Sequence, residues 1–404
     1  MERRTLWLLV GIGGGALVTC GLGSGLLALV FMLASERALT ATETLPLAGV
    51  MGVSLGFGIP LVVHGMSGWR ARPSHPFSPL RVWPMWLAWI ILIILGTVVS
   101  LMDLSPAMLL PPIHVLTMSM PPLITLWSAG KALNGTGGSW RQVTAAMVSG
   151  GSLGLGLSFV GETLIGLALF VIVLAVALVT PGGKEQIIAL GNNLQDPTWV
   201  KDLSNLAELL LSPPAAVATL GMFAIPIPLI EEAFKTLAAG VVARWVRPHP
   251  ARAFLWGVAA GAGFALVENV FNGALGGAEG WSIGAVARLG ATLMHCATGG
   301  LVGWGWGQLW TKRRPLRLAG SYVGAVLIHG AWNAITVSAV LLSASALIHD
   351  GNSMWLPVTG VGTLASIGLI GLLTAACALA IPLAGRKLAA ETRQTHSADA
   401  APGP

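Results

Sequence analysis

Long apolar stretches separated by short polar ones dominate the chain. Ten of them could cross a bilayer as helices: 5–34, 46–68, 82–102, 108–130, 142–180, 214–243, 253–275, 283–310, 318–345 and 355–384. Roughly 20 apolar residues suffice to span the hydrocarbon core, so the pattern predicts an all-α polytopic membrane bundle of about ten transmembrane helices. The fifth stretch, SGGSLGLGLSFVGETLIGLALF, is glycine-rich and reads as one tilted helix or two short ones. One sizeable polar segment, 183–212, spaces its apolar residues at helical intervals, which predicts a helix lying on the outer membrane surface. The chain then organises as 1–210 (five spans and this segment), 211–386 (the remaining spans) and 387–404, a disordered cytoplasmic tail.

Composition agrees with this reading. The chain is 54% hydrophobic and only 9% charged, against roughly 25% charged for a soluble domain. Its net charge of +6 is therefore read for topology and not for nucleic acid, because Lys and Arg collect in cytoplasmic loops. With both termini inside, the cytoplasmic segments hold 17 Lys and Arg, and the outer ones hold 3: Arg37, Lys184 and Lys201. Lys235 and Arg288 remain within the membrane. This predicts a multi-pass protein of the cell membrane, N-in and C-in. Cys20, Cys296 and Cys377 all fall in apolar spans and read as small packing residues. The apolar run from Thr5 to Ser35 is too long for a signal-peptide core and reads as the first span.

Against this apolar background, the ionisable residues in the spans are few and concentrate in the second half. They are Glu231, Glu232 and Lys235 in PLIEEAFKTLAAG, Glu268 in GFALVENVF, Arg288 and His295 in VARLGATLMHCATGG, and His329 in LIHGAWNA. A charge at a helix centre costs about 2.5–3.5 kcal/mol on insertion scales, so several together need pairing or a purpose. Counted from the cytoplasmic start of its span, Glu268 lies about 15 residues in, or about 22 Å. His295 and His329 each lie about 11 residues into theirs, near the midplane. Four consecutive spans thus bring polar groups to one depth. Glu231 and Lys235 are spaced i,i+4 and share a helix face, as do His329 and Asn333. Pro226 and Pro228 interrupt the helix just upstream of Glu231. Gly299, four residues after His295, permits close helix approach on that face.

These residue types suit hydrolysis. A carboxylate can activate water, and two histidines with one glutamate form a zinc triad with an open fourth position. Asn333 or Lys235 could support a developing oxyanion. His64, His114 and Glu162 read as structural. A second reading, an ion- or proton-coupled transporter, uses the same midplane Glu and His groups. The lack of an inverted repeat counts against it.

Glu-Glu-x-x-Lys (Glu231, Glu232, Lys235), Phe-x-x-x-Glu-Asn (Phe264, Glu268, Asn269), His295 and His-Gly-x-Trp-Asn (His329, Gly330, Trp332, Asn333) follow in order, one motif per span. The set resembles the PrsW family of intramembrane proteases, over about residues 225–340. The resemblance implies a peptidase, usually classed as a metallopeptidase, acting on a membrane-anchored protein substrate such as an anti-sigma factor. It makes Glu231 or Glu232 the general base and Glu268, His295 and His329 the holders of a zinc ion or of the water. The wider superfamily includes the CAAX-processing proteases, which have His where this chain has Glu268. That departure keeps a metal-free glutamate mechanism open.

Overall fold

The computed structural model describes residues 3–34, 39–79, 81–275, 277–278, 280–348 and 355–399. Among these there is no strand, only an isolated bridge between Pro76 and Ser139. The helices begin with α1 (Arg3–Ala34), α2 (Ala41–Trp69), α3 (Trp83–Leu101), α4 (Pro106–Leu133) and α5 (Trp140–Ser149). A π-helical turn, Gly150–Gly154, joins α5 to α6 (Leu155–Val179). The fifth span is thus one continuous helical run with a π turn, a feature often found near functional sites.

The polar segment forms three short helices, α7 (Gly183–Gln195), α8 (Pro197–Lys201) and α9 (Leu203–Leu211), where one was expected. Asp196 and Asp202 divide it, each accepting a hydrogen bond from a backbone N–H two residues on, at Thr198 (2.8 Å) and Ser204 (2.9 Å). Each thereby caps a new helix. Hydrogen bonds from Thr198 and Ser204 hold these two carboxyls below their ordinary pKa.

The sixth span is broken twice, into α10 (Pro213–Ala224), α11 (Pro226–Lys235) and α12 (Leu237–Val246). The chain continues through α13 (Pro250–Asn272), α14 (Trp281–Lys312), α15 (Pro315–Ile348) and α16 (Trp355–Asp399). Among the described residues, nine segments are long and apolar enough to cross a membrane. The expected span missing from these, the eighth (283–310), forms α14, whose 32 residues are long enough but diluted by glycines, Arg288, His295 and Gln308.

Two compact units are present, each assembled from separate pieces of chain. Unit 1 comprises Met1–Leu155, Phe234–Ala325 and Ala376–Pro404; unit 2 comprises Gly156–Ala233 and Val326–Ala375. In unit 1, α13 is buried on almost every side and packs on α14, α4, α5 and the π turn. A helix that is apolar all round belongs in such a core. Its contact with α14 is backbone to backbone. A Cβ on Gly257 would strike the Gly299 carbonyl, and one on Gly261 the His295 carbonyl. Only glycine lets the helices meet there.

His114 ties α4 to both of these helices. Trp281 Nε1–H donates to its Nδ1 at 3.0 Å, so its Nε2–H donates to the Val270 carbonyl at 2.8 Å. Val270 lies in the last turn of α13, where carbonyls have no intrahelical donor. His114 therefore serves as a buried helix cap. In unit 2, α6 exposes Phe159, Leu164 and Phe170, as a lipid-facing helix would.

Two expectations are corrected. The tail after Arg386 does not fray at once: α16 runs on to Asp399, with Leu388 and Ala389 buried and Thr392 Oγ1 3.0 Å from His249 Nδ1. A face of small and apolar residues at helical spacing holds it in unit 1. Cys20 is exposed along α1, whereas Cys296 and Cys377 are buried. Arg37 and the last five tail residues lie outside the described residues.

Candidate active site

Three of the seven candidate residues belong to one unit and four to the other. Unit 1 holds Lys235, Glu268 and His295. Close packing of α13 and α14 brings Glu268 Oε2 to 2.7 Å from His295 Nε2. The same oxygen is 3.0 Å from Arg288 Nη2, while Oε1 accepts from Asn272 Nδ2 at 3.0 Å. Arg288 is steadied in turn: its Nε donates to Asn269 Oδ1 at 2.8 Å, and Asn269 Nδ2 donates to Thr292 Oγ1 at 2.8 Å. On the other side of the imidazole, Lys235 Nζ lies 2.9 Å from His295 Nδ1 and 4.9 Å from the centre of the Phe264 ring. An ammonium only donates, so Nδ1 accepts and Nε2–H faces the carboxylate. Both ring nitrogens of His295 thus meet an ionisable neighbour.

Burial explains why the network is so full. Lys235 is 1% exposed and His295 2%. An uncompensated charge at such a place is expensive, and one carboxylate shared by an arginine and a histidine offsets much of that cost.

Unit 2 holds Glu231, Glu232, His329 and Asn333. His329 Nδ1 is 2.9 Å from Glu232 Oε1, and its Nε2 is 3.8 Å from Glu231 Oε2. Glu232 is wholly buried. Nδ1 therefore faces the Glu232 carboxylate, and Nε2 faces Glu231. Placement of this histidine depends on the first break in the sixth span. α10 ends at Ala224, so its last carbonyls lack helical donors. Asn333 Nδ2 donates to one of them, that of Phe223, at 3.0 Å. A Cβ at position 330 would strike another, that of Ala224, which is why the motif has Gly330. The His-Gly-x-Trp-Asn motif thus grips the broken end of α10. One N–H of the Asn333 amide is used in that grip, a partner that the sequence did not suggest.

Arg288 was visible in the sequence but given no partner, and Asn269 was seen only as a motif neighbour. A single arginine in the span that follows Glu268 was the signal for their pairing.

Residues 164–361 match the PrsW family intramembrane metalloprotease. The match takes in both groups of residues and reaches back through α7–α9 into α6. No curated protein and no solved structure matches the chain. All seven candidate site residues lie within residues 164–361, the stretch that is similar to the PrsW family intramembrane metalloprotease.

Proposed function

We propose that the protein hydrolyses a peptide bond of a membrane-anchored regulatory protein, with Glu231, His295 and His329 holding a zinc ion. It is a multi-pass membrane protein by its helices, and the match to a family of intramembrane metalloproteases supports an intramembrane peptidase. What carries the finer reading is a repeated arrangement: each of two buried histidines has one ring nitrogen held by a carboxylate. Glu268 holds His295 and Glu232 holds His329. Metal-binding histidines are oriented in this way; the second nitrogen faces Glu231 in His329, and in His295 it is the one that meets Lys235.

The donor chemistry fits. Glu231 Oε2 and His329 Nε2 are 3.8 Å apart, too far for a hydrogen bond and within reach of one ion at about 2.0–2.2 Å from each. All three proposed ligands are buried and of types that suit a metal ion. Glu268 fits less well than the sequence suggested, because His295, Arg288 and Asn272 occupy its carboxylate. The third ligand therefore moves from Glu268 to Glu231. Zinc would polarise the peptide carbonyl and lower the pKa of bound water to about 7. The chain's own residues do the rest. Glu232 and Glu268 fix the two imidazoles, and Glu231 keeps a second oxygen to take a proton from the attacking water. Lys235 brings positive charge to the oxyanion, and Asn333 positions His329.

The test is a panel of single substitutions in the full chain, read for substrate cleavage and bound metal. Glu231→Ala, Glu232→Ala, Glu268→Ala, His295→Ala and His329→Ala should each abolish cleavage while the protein stays inserted. Metal content should fall from near one equivalent in the two histidine variants. His64→Ala should keep most activity. Full activity in a rigorously metal-free preparation would overturn the zinc assignment and leave the glutamate hydrolase.

A further inference from the structure

Unit 1 contains a cavity of about 880 Å³ that the proposed chemistry does not use, bounded by α3, α4, α14 and α16. One end is cationic, with Lys131 in the last turn of α4 and Arg386 and Arg393 on α16. The remainder is mainly apolar, with Ile124, Leu289, Leu293 and Ile381 along its walls and Thr125, Ser128 and Asn134 as neutral polar residues. Among the described residues, no acidic side chain lines it. Pro382 sits in the wall, and a proline within a helix leaves the carbonyl four residues back without its donor. That carbonyl belongs to Ala378, which also lines the cavity.

We propose that this cavity is a binding site for one anionic phospholipid. Its phosphate meets Lys131, Arg386 and Arg393, and one acyl chain runs along Ile124, Leu293 and Ile381. The dimensions favour a lipid. From Arg393 to Ala378 is 15 residues of α16, about 22 Å. That matches half of a bilayer's roughly 40–45 Å thickness, headgroups included. A small soluble anion would use the cationic end and leave the apolar length empty. A neutral lipid would leave three converging cations without a counter-charge. Basic pockets between membrane helices recognise anionic headgroups in this way. The lipid chain then packs on the stretch of α14 that also carries Arg288 and His295, from a different face of that helix.

The experiment uses the full chain in phosphatidylcholine nanodiscs with phosphatidylglycerol titrated in, and native mass spectrometry to count retained lipid. The expected result is one retained phosphatidylglycerol per chain. The double variant Arg386→Glu/Arg393→Glu should weaken retention roughly tenfold or more, since each surface cation contributes to anionic lipid binding. Ala378→Phe, which fills the apolar end and leaves the cations intact, should also weaken it, and it decides the matter alone if the double variant does not fold. Millimolar inorganic phosphate should not displace the lipid. Equal retention by the wild type and Ala378→Phe would overturn the proposal. So would displacement by phosphate, which would mark a site for free anions.

Discussion

Replacing His114 by leucine tests whether this histidine belongs to the scaffold or to the chemistry. Its ring is wholly buried and joins α4 to Trp281 of α14 and to the last turn of α13. Leucine keeps much of the volume, so the cavity cost is small. What is lost is two hydrogen bonds, with the Val270 carbonyl and the Trp281 N–H left in an apolar core. Figures for water-soluble proteins would charge about 1–3 kcal/mol to each stranded group. Inside a membrane protein the unfolded reference also finds partners, and measured values average about 0.6 kcal/mol with a maximum near 1.7. The second scale applies here, so the expected loss is about 1–3 kcal/mol for the pair. Reversible unfolding in mixed micelles, followed by circular dichroism, measures it. A cycle with Trp281→Phe should show the two changes to be less than additive, because they share one bond. Activity per folded molecule should stay near wild type at low temperature. A His114→Leu protein as stable as wild type, or one stable but inactive, would refute the reasoning.

Two further outcomes follow from the same packing and charge arguments. Gly261→Ala places a methyl against the His295 carbonyl and must push α14 away from α13. It should cost about 1–3 kcal/mol and reduce cleavage more than Gly320→Ala, where a Cβ meets nothing; equal activities of the two variants would count against the packing argument. Reporters fused after Arg252 and after Arg317 should report cytoplasm, and one near Asn192 the outer compartment. An outer signal from the 312–317 cluster would reverse the assigned orientation.

Much of this architecture could be read from the chain because membrane helices must satisfy their own backbone, which makes long apolar runs nearly unambiguous. The first break in the sixth span was legible for the same local reason, since Pro226 and Pro228 carry no N–H. The second was not. Thr236 is an ordinary helix residue, and it leaves the helix between two buried anchors, Lys235 on His295 and its own hydroxyl, which accepts from Trp306 Nε1 at 3.2 Å. Both contacts are more than fifty residues away in sequence. The candidate site shows the same division. Residue types and depth marked Glu231, Glu232, Glu268, His295 and His329, but which glutamate serves which histidine depends on how the helices are rotated. Spacing does not fix rotation to better than a residue or so. The i,i+4 pairing of His329 with Asn333 was correct as helix geometry, yet it missed the Phe223 carbonyl, which is available only because α10 stops.

Lys235 offers the sharpest test of the metal assignment. Its ammonium donates to His295 Nδ1 at 2.9 Å, and the other ring nitrogen faces Glu268. Nδ1 is therefore the nitrogen that His295 can offer to an ion, and Lys235 and the ion compete for one lone pair. They also repel. Two unit charges 4 Å apart interact by about 4 kcal/mol at an effective dielectric of 20, and a divalent ion doubles the force. Replacing Lys235 by methionine removes both the competing donor and the charge while keeping the stem that packs on Phe264. Metal affinity should then rise by at least about tenfold, a small share of that upper limit. Metal-free Lys235→Met should be less stable than wild type, because Glu268 and its neighbours lose a buried counter-charge. Cleavage should fall, since the cation proposed for the oxyanion is gone. Tighter binding with slower turnover is a combination that a purely structural lysine does not produce. Isothermal titration with zinc, and the rise in melting temperature on adding it, measure the first effect without relying on activity. If Lys235→Met binds zinc no more tightly than wild type, His295 does not present Nδ1 to a metal, and the ligand set has to be redrawn without it.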